Sequence, residues 1–177
     1  FKQVFVVGEY HDKATGLTIP VKALLDIVPY PTSKFSTFLF DFKTTRSAAT
    51  RSFTRDCWVY GYATQAAFHS DLYVAATGED RSTFGHIVQE NVAPWHVEPS
   101  ILSQEFVERG RLQYLSALEL YCRCLKTNTW PGYAAQTVIE GFRLVQPEAW
   151  MLGTDDFRFD DTPTPEQSIS SDDDLIP

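Results

Sequence analysis

Two aspartates interrupt apolar runs near the start of the chain. Asp26 lies in Ala23-Leu24-Leu25-Asp26-Ile27-Val28; Asp41 and Lys43 lie in Phe38-Leu39-Phe40-Asp41-Phe42-Lys43. In a strand, residues two apart share a face, so Asp41 and Lys43 project together while Phe40 and Phe42 project the other way. If the two runs pair as strands, Asp26 lies beside Asp41. Adjacent carboxylates resist ionising together unless a cation sits between them. Their oxygens are the ligands that Mg²⁺ prefers, with Mn²⁺ as its substitute. A lysine two residues on is suited to orient a water or to stabilise negative charge developing at phosphorus. Asp26, Asp41 and Lys43 therefore read as a metal-dependent phosphodiesterase centre. Taken alone, an Asp-x-Lys is an ordinary surface ion pair, and Asp26 a bulge or edge residue.

A basic segment follows. Lys43, Arg46, Arg51 and Arg55 occur with no acid between Asp41 and Asp56, interleaved with Thr44, Thr45, Ser47, Thr50, Ser52 and Thr54. Arg51 and Arg55 share a face if this stretch is helical. Arginines and hydroxyls are the usual phosphate-contacting groups, so Arg46, Arg51 and Arg55 are the expected contacts to a DNA backbone. A solvated basic helix face is the plainer alternative.

The overall charge points the other way at first. The 177 residues carry 23 acidic and 15 basic side chains, a net of −8, and a nucleic-acid partner normally asks for a basic surface. The excess is local, however. Residues 154–177 hold eight acids against Arg158 alone, a net of −7, and residues 1–153 hold 15 acids and 14 bases. The expected organisation is a neutral body over 1–153 and an acidic, disordered tail over 154–177. The tail ends Asp172-Asp173-Asp174-Leu175-Ile176-Pro177. It loosely resembles the acidic tip of bacterial single-strand-binding proteins, without the final Phe; a plain solubilising tail, or one that competes with DNA for the basic segment, is the favoured reading. No apolar run is long enough for a membrane helix, and the first residues do not read as a signal peptide. Cys57, Cys122 and Cys124 read as reduced thiols of a cytoplasmic protein. Three cysteines exclude a four-cysteine zinc or iron–sulfur site within this chain.

The elements that must position these groups follow from periodicity. Val4–Val7 reads as a strand, Leu17 to Val28 as a strand with one buried face, and Phe35 to Phe42 as a third strand forming an antiparallel hairpin with the second. Trp58, Tyr62 and Ala66 give Thr54 to Tyr73 a helical spacing. Leu72–Ala76 and Thr83–Glu90 read as strands. Ser103 is the expected N-cap of a helix over 103–125, with a stripe through Val107, Leu115, Leu118 and Leu125, closed by Trp130-Pro131-Gly132. Thr137–Val145 fits either a strand or a helix.

Asp26, then Asp41-Phe42-Lys43-Thr44-Thr45, then Tyr62-Ala63-Thr64-Gln65-Ala66-Ala67-Phe68 together resemble the PD-(D/E)XK nuclease superfamily in its RecB-like branch. The likeness is greatest to the exonuclease VIII (RecE-like) nuclease domain, and it extends through Glu108–Leu125 and Trp130–Tyr133 to cover roughly residues 1–150. The resemblance implies an α/β fold, a central mixed β-sheet flanked by α-helices. It places the family's second-motif Asp on Asp26, its (D/E)xK pair on Asp41 and Lys43, and the Gln of its Q-x-x-x-Y helix motif on Gln65. The Tyr position holds His69, a departure. A second departure is at the front: the family carries a His or Glu of the metal site on a helix upstream, whereas the 25 residues before Asp26 read as strands. Glu9 and His11 are the available groups, and the chain is expected to lack that first helix.

The resemblance further implies Mg²⁺-dependent hydrolysis of DNA, 5′→3′ from double-stranded ends. This would leave 3′ single strands for a RecT-type annealing partner in phage or prophage recombination, with homo-oligomeric rings. Asp26 and Asp41 would hold the metal, Lys43 would position or activate water, and Gln65 would support the site or contact the scissile strand. The alternative keeps the fold without the catalysis, as a DNA-binding remnant or an interaction module. A restriction endonuclease would share the centre, but nothing suggests a specificity domain.

Overall fold

The structure is a computed structural model that describes residues 2–132 and the backbone of 138–139 and 142–143. It forms two compact units, Phe1–Trp130 and Pro131–Pro177. The second contributes one described feature, an antiparallel pair of two-residue strands, Val138–Ile139 and Phe142–Arg143. Strand is thus the outcome within the stretch 137–145. The acidic tail lies outside the described residues.

The first unit is built on a five-stranded sheet. β1 (Lys2–His11), β2 (Thr18–Ile27), β3 (Phe38–Thr45), β4 (Thr83–Glu90) and β5 (Val97–Ile101) lie side by side in chain order. The pairings are antiparallel except β3 with β4, which run parallel and are joined by two helices, α1 (Thr50–Val59) and α2 (Tyr62–Thr77). A long third helix, α3 (Gln104–Thr127), follows β5. This is the mixed, helix-flanked α/β sheet expected from the sequence. The alternation in β2 puts Ile19, Ala23 and Leu25 in the core, and β3 adds Leu39. Ala66, Leu72 and Tyr73 of α2 close over them.

Four expectations are corrected. The helical stretch over 54–73 is two helices, because Gly61 adopts φ 68°, a left-handed conformation that suits glycine and ends the run. Trp58 accordingly lies exposed, and the buried face of α1 is Phe53 and Cys57. Leu72–Ala76 is not a strand but the last turns of α2, which continues to its left-handed cap at Gly78 because Leu72 and Tyr73 are buried against the sheet. The third strand begins at Phe38, since Phe35 lies in the preceding turn. In α3 the buried residues are Gly110, Cys122 and Cys124, and Leu125 is exposed. Ser103 caps that helix as expected, accepting a hydrogen bond from Phe106 N at 3.4 Å. The helix stops at Asn128, in the left-handed region, before Trp130.

Two close approaches set the position of α2. Gly8 on β1 leaves room for Leu72, whose Cδ1 would lie 2.7 Å from a Cβ there. A Cβ on Gly110 would collide with the Ala63 carbonyl group, so α3 crosses α2 with its glycine backbone directly against backbone. Beside that crossing, Arg111 grips Asp71 through both carboxylate oxygens (2.7 and 2.8 Å), and Tyr114 Oη donates to Asp71 Oδ2 at 2.6 Å. The arginine and the tyrosine hold the Asp71 carboxyl below its usual range against the opposing effect of burial.

Candidate active site

The site forms where β2 and β3 part. These strands share one register pair, Ile27↔Phe40. One residue beyond it, Asp26 Oδ2 accepts a hydrogen bond from Phe42 N at 3.0 Å and so spans the gap. On the other flank of β2, the ladder with β1 pairs Lys2 with Ile27 and Val4 with Leu25 and omits Gln3, whose φ is 52°. An irregularity of this kind re-aims a side chain without breaking the sheet. The Asp26 carboxyl thereby comes close enough to Asp41 to act on its ionisation.

Asp41 projects to the helix side of β3 and is 3% exposed. Its Oδ1 accepts a hydrogen bond from Gln65 Nε2 at 2.9 Å. Its Oδ2 meets Lys43 Nζ at 2.6 Å as an ion pair but lacks an aligned hydrogen-bond donor. Lys43 Nζ donates to Gln65 Oε1 at 2.8 Å and lies 4.4 Å from the centre of the Tyr62 ring. Gln65 therefore presents its oxygen to the ammonium and its amino group to the carboxylate. A glutamate would repel Asp41, and an apolar residue would satisfy neither neighbour. Burial raises the Asp41 pKa above the usual range; the ion pair with Lys43 offsets part of this, and Asp26 adds to the rise.

The sequence-predicted groups Asp26, Asp41, Lys43 and Gln65 are thus brought together. The arginines stand differently. Arg46 lies in the loop after β3, and Arg51 and Arg55 lie on α1; all three are exposed, with no ion-pair partner among the described residues. Their segment is tied to the site, since Thr45 Oγ1 donates to Asp56 Oδ2 at 2.9 Å and Ala48 N donates to Glu90 Oε1 at 2.9 Å. Glu9 and His11 do not join the centre: they pair with Pro20 and Thr18, at the far end of β2 from Asp26. Among the described residues, no group of three or more His, Cys, Asp or Glu side chains is placed to hold a metal.

The histidines hold a surprise. His69, one turn after Gln65, is buried with its Nδ1 unpartnered, and its pKa is pushed down to about 4 by burial and then by the charge of Lys43, with Asp26 opposing. His86, which sequence reasoning passed over, is fully buried beside Asp41 in the β3–β4 register. Phe53, Tyr62 and Phe84 surround its ring, and neither nitrogen has a partner. Burial and Lys43 push it to about 4 as well. Both rings are neutral near neutral pH, and they wall the carboxylate pair from the core side. The signal available was a lone polar residue at the buried phase of Phe84-Gly85-His86-Ile87-Val88.

A parallel β3–β4 pair crossed by helices, with two aspartates and an Asp-x-Lys at the strand fork, defines a protein of the PDDEXK nuclease class. Residues 6–140 match the family described as PDDEXK-like domain of unknown function (DUF3799), and the chain belongs to that family, a branch of the PD-(D/E)XK nuclease superfamily. No curated protein sequence matches it. Among solved structures, a protein described as a candidate exonuclease from Eubacterium rectale shares the fold at a TM-score of 0.51 and 18% identity. The match covers 72% of this chain and 46% of that one, so the chain spans less than half of that protein's length. Among the described residues no helix is long and apolar enough to cross a membrane.

Proposed function

We propose that the chain is a Mg²⁺-dependent DNA exonuclease acting 5′→3′ on double-stranded ends and leaving 3′ single strands for an annealing protein of the RecT type. The observation that carries the nuclease reading is the closed set of contacts among Asp41, Lys43 and Gln65 with Asp26 against it. A structural ion pair needs no second carboxylate pressed against the first.

The donor set fits the cation. Mg²⁺ retains several waters and is usually held by one or two carboxylates together with substrate phosphates, so two aspartates suffice. Asp41 Oδ2, buried and met by the Lys43 ammonium at 2.6 Å, is the oxygen that would turn to such an ion. When bound, the cation supplies Lewis-acid stabilisation of the phosphate and lowers the pKa of a water. Mn²⁺ is expected to substitute. Lys43, fixed by Gln65 and the Tyr62 ring, sets its positive charge where negative charge develops on the phosphate. Gln65 holds both Lys43 and Asp41 in register. Arg46, Arg51 and Arg55 contact the DNA backbone.

The test is degradation of linear duplex DNA by the purified chain with and without Mg²⁺, with Asp41→Asn as the comparison. Loss of a metal-bound carboxylate is expected to lower the rate at least a thousandfold, while the circular dichroism spectrum is unchanged. If Asp41→Asn degrades DNA as fast as the unaltered chain, the site assignment is wrong. End-labelled substrates read the polarity. The second reading, a DNA-binding remnant, is favoured by the two-carboxylate count; binding without any metal-dependent cleavage would establish it.

A further inference from the structure

The face of β3 opposite Asp41 and Lys43 carries a hollow that the nuclease chemistry does not use. It has a volume of about 760 Å³, within the range of ligand-binding cavities. Phe35, Phe38, Phe40, Ile27 and Ile101 line it, and among the described residues Lys2 is the one charged lining residue. The three phenylalanines form a ladder. Phe38 and Phe40 stack at 5.3 Å between ring centres, and Phe35 meets both edge-on at 5.6 and 5.7 Å. Phe35 is 41% exposed, and Lys34 Nζ lies 5.0 Å above its ring. Neither Lys2 nor Lys34 has an ion-pair partner among the described residues. Among the described residues no acid lines the hollow.

Its position relative to the carboxylates is fixed by the chain. Ile27 and Phe40, the single register pair joining β2 and β3, both line it, and each is the immediate neighbour of an aspartate, Asp26 and Asp41. The hollow therefore begins one residue from the carboxylate pair, on the other face of the same two strands.

We propose that this hollow seats unpaired bases of a nucleic-acid strand, stacked on Phe35 and the ladder behind it, with Lys2 and Lys34 meeting the backbone phosphates. Aromatic faces with flanking cations are the sequence-tolerant way to hold single strands, and an apolar lining with Lys2 in it and Lys34 beside it suits that ligand. The course of the strand from the hollow to Asp26 and Asp41 rests on the nuclease reading; the stacking does not.

The experiment uses the full chain in EDTA, so that no cleavage occurs, and a fluorescently labelled short oligothymidylate read by anisotropy. Loss of one stacked base in Phe35→Ala is expected to weaken binding by roughly 5- to 150-fold. Phe35→Leu, which keeps the apolar bulk and guards against a folding defect, is expected to lose most of the same affinity. A 5-iodouracil oligonucleotide should photo-cross-link to the lining of the hollow, at Lys2, within 27–40, at Ile87 or within 99–101. Binding of both variants at the unaltered affinity, or a cross-link mapping elsewhere, overturns the proposal; retention of full affinity by Phe35→Leu while Phe35→Ala loses it also overturns it, by showing an apolar rather than a stacking contact. Duplex degradation by the unaltered chain is scored separately. Cleavage with strand binding indifferent to Phe35 leaves the nuclease standing and removes the hollow's role. Strand binding that depends on Phe35 without any cleavage does the reverse.

Discussion

His86 offers a test of the site's electrostatics that does not depend on activity. The ring is fully buried, its nitrogens are unpartnered, and its pKa is pushed down to about 4. In the unfolded chain a histidine titrates near ~6.5. A depressed folded value means that the unfolded state binds the proton first as pH falls. The stability contributed by the neutral ring is complete above the unfolded value and is lost as pH drops from there toward 4. Between pH 7 and pH 5 the unfolded ring takes up about three-quarters of a proton and the folded ring almost none, a loss of about 2 kcal/mol. His69, displaced in the same direction to about 4, adds a similar loss. For a domain whose total stability is about 5–15 kcal/mol, that is a large fraction. His86→Leu keeps the volume and removes the titration. Urea unfolding of both proteins at pH 7 and pH 5 should show the variant losing about 2 kcal/mol less than the unaltered chain over that interval. The raised Asp41 acts with the opposite sign, favouring the folded state as pH falls, and is common to both proteins. If the two show the same pH dependence, His86 is paired or charged in the folded state, and the neutral wall described for the site is wrong.

Two further outcomes follow from packing and charge. Gly110→Ala would gain about 1 kcal/mol of helix propensity in isolation. Its Cβ would collide with Ala63 O, which is backbone and has no rotamer to change, so chemical unfolding should show a net loss of roughly 1–3 kcal/mol. Replacing Arg51 and Arg55 together by alanine should lower the slope of log affinity against log salt for duplex DNA by about 2, at roughly 0.9 for each phosphate no longer neutralised, when binding is measured without metal. An unchanged slope would place the DNA elsewhere.

How much of this was legible depended on whether a local rule carried it. Asp41 and Lys43 were, because a period of two in an apolar strand allows no other reading of their shared face. Gln65 was not readable from spacing. Nothing in Thr64-Gln65-Ala66 distinguishes it from a surface glutamine, and only the family resemblance marked it. β5 escaped notice because Pro99 within Val97–Ile101 argues against a strand, and the strand survives by lying at the sheet edge, where a missing N–H costs no ladder bond. The break at Gly61 was hidden because a lone glycine in a helical pattern is usually tolerated. His86 was hidden because a polar residue at a buried phase has no preferred partner that sequence can name.

The position of Gln65 shows why the rest needed three dimensions. Its amide acts only because α2 lies over β3, and that placement is made far from the chemistry. The absence of a side chain at Gly8 admits Leu72, the absence of one at Gly110 lets α3 lie on Ala63, and the Arg111–Asp71 pair closes the crossing. These contacts together hold α2 against the sheet and α3, and Gln65 lies on that helix. A hydrogen bond weakens steeply with misalignment, and the 2.8 and 2.9 Å contacts of Gln65 leave little slack. The placement of Gln65 beside Asp41 and Lys43 therefore depends on two glycines and a part-buried ion pair as well as on the site residues themselves, and under the proposed nuclease function a change at Gly110 is expected to lower the cleavage rate even though it touches nothing in the site.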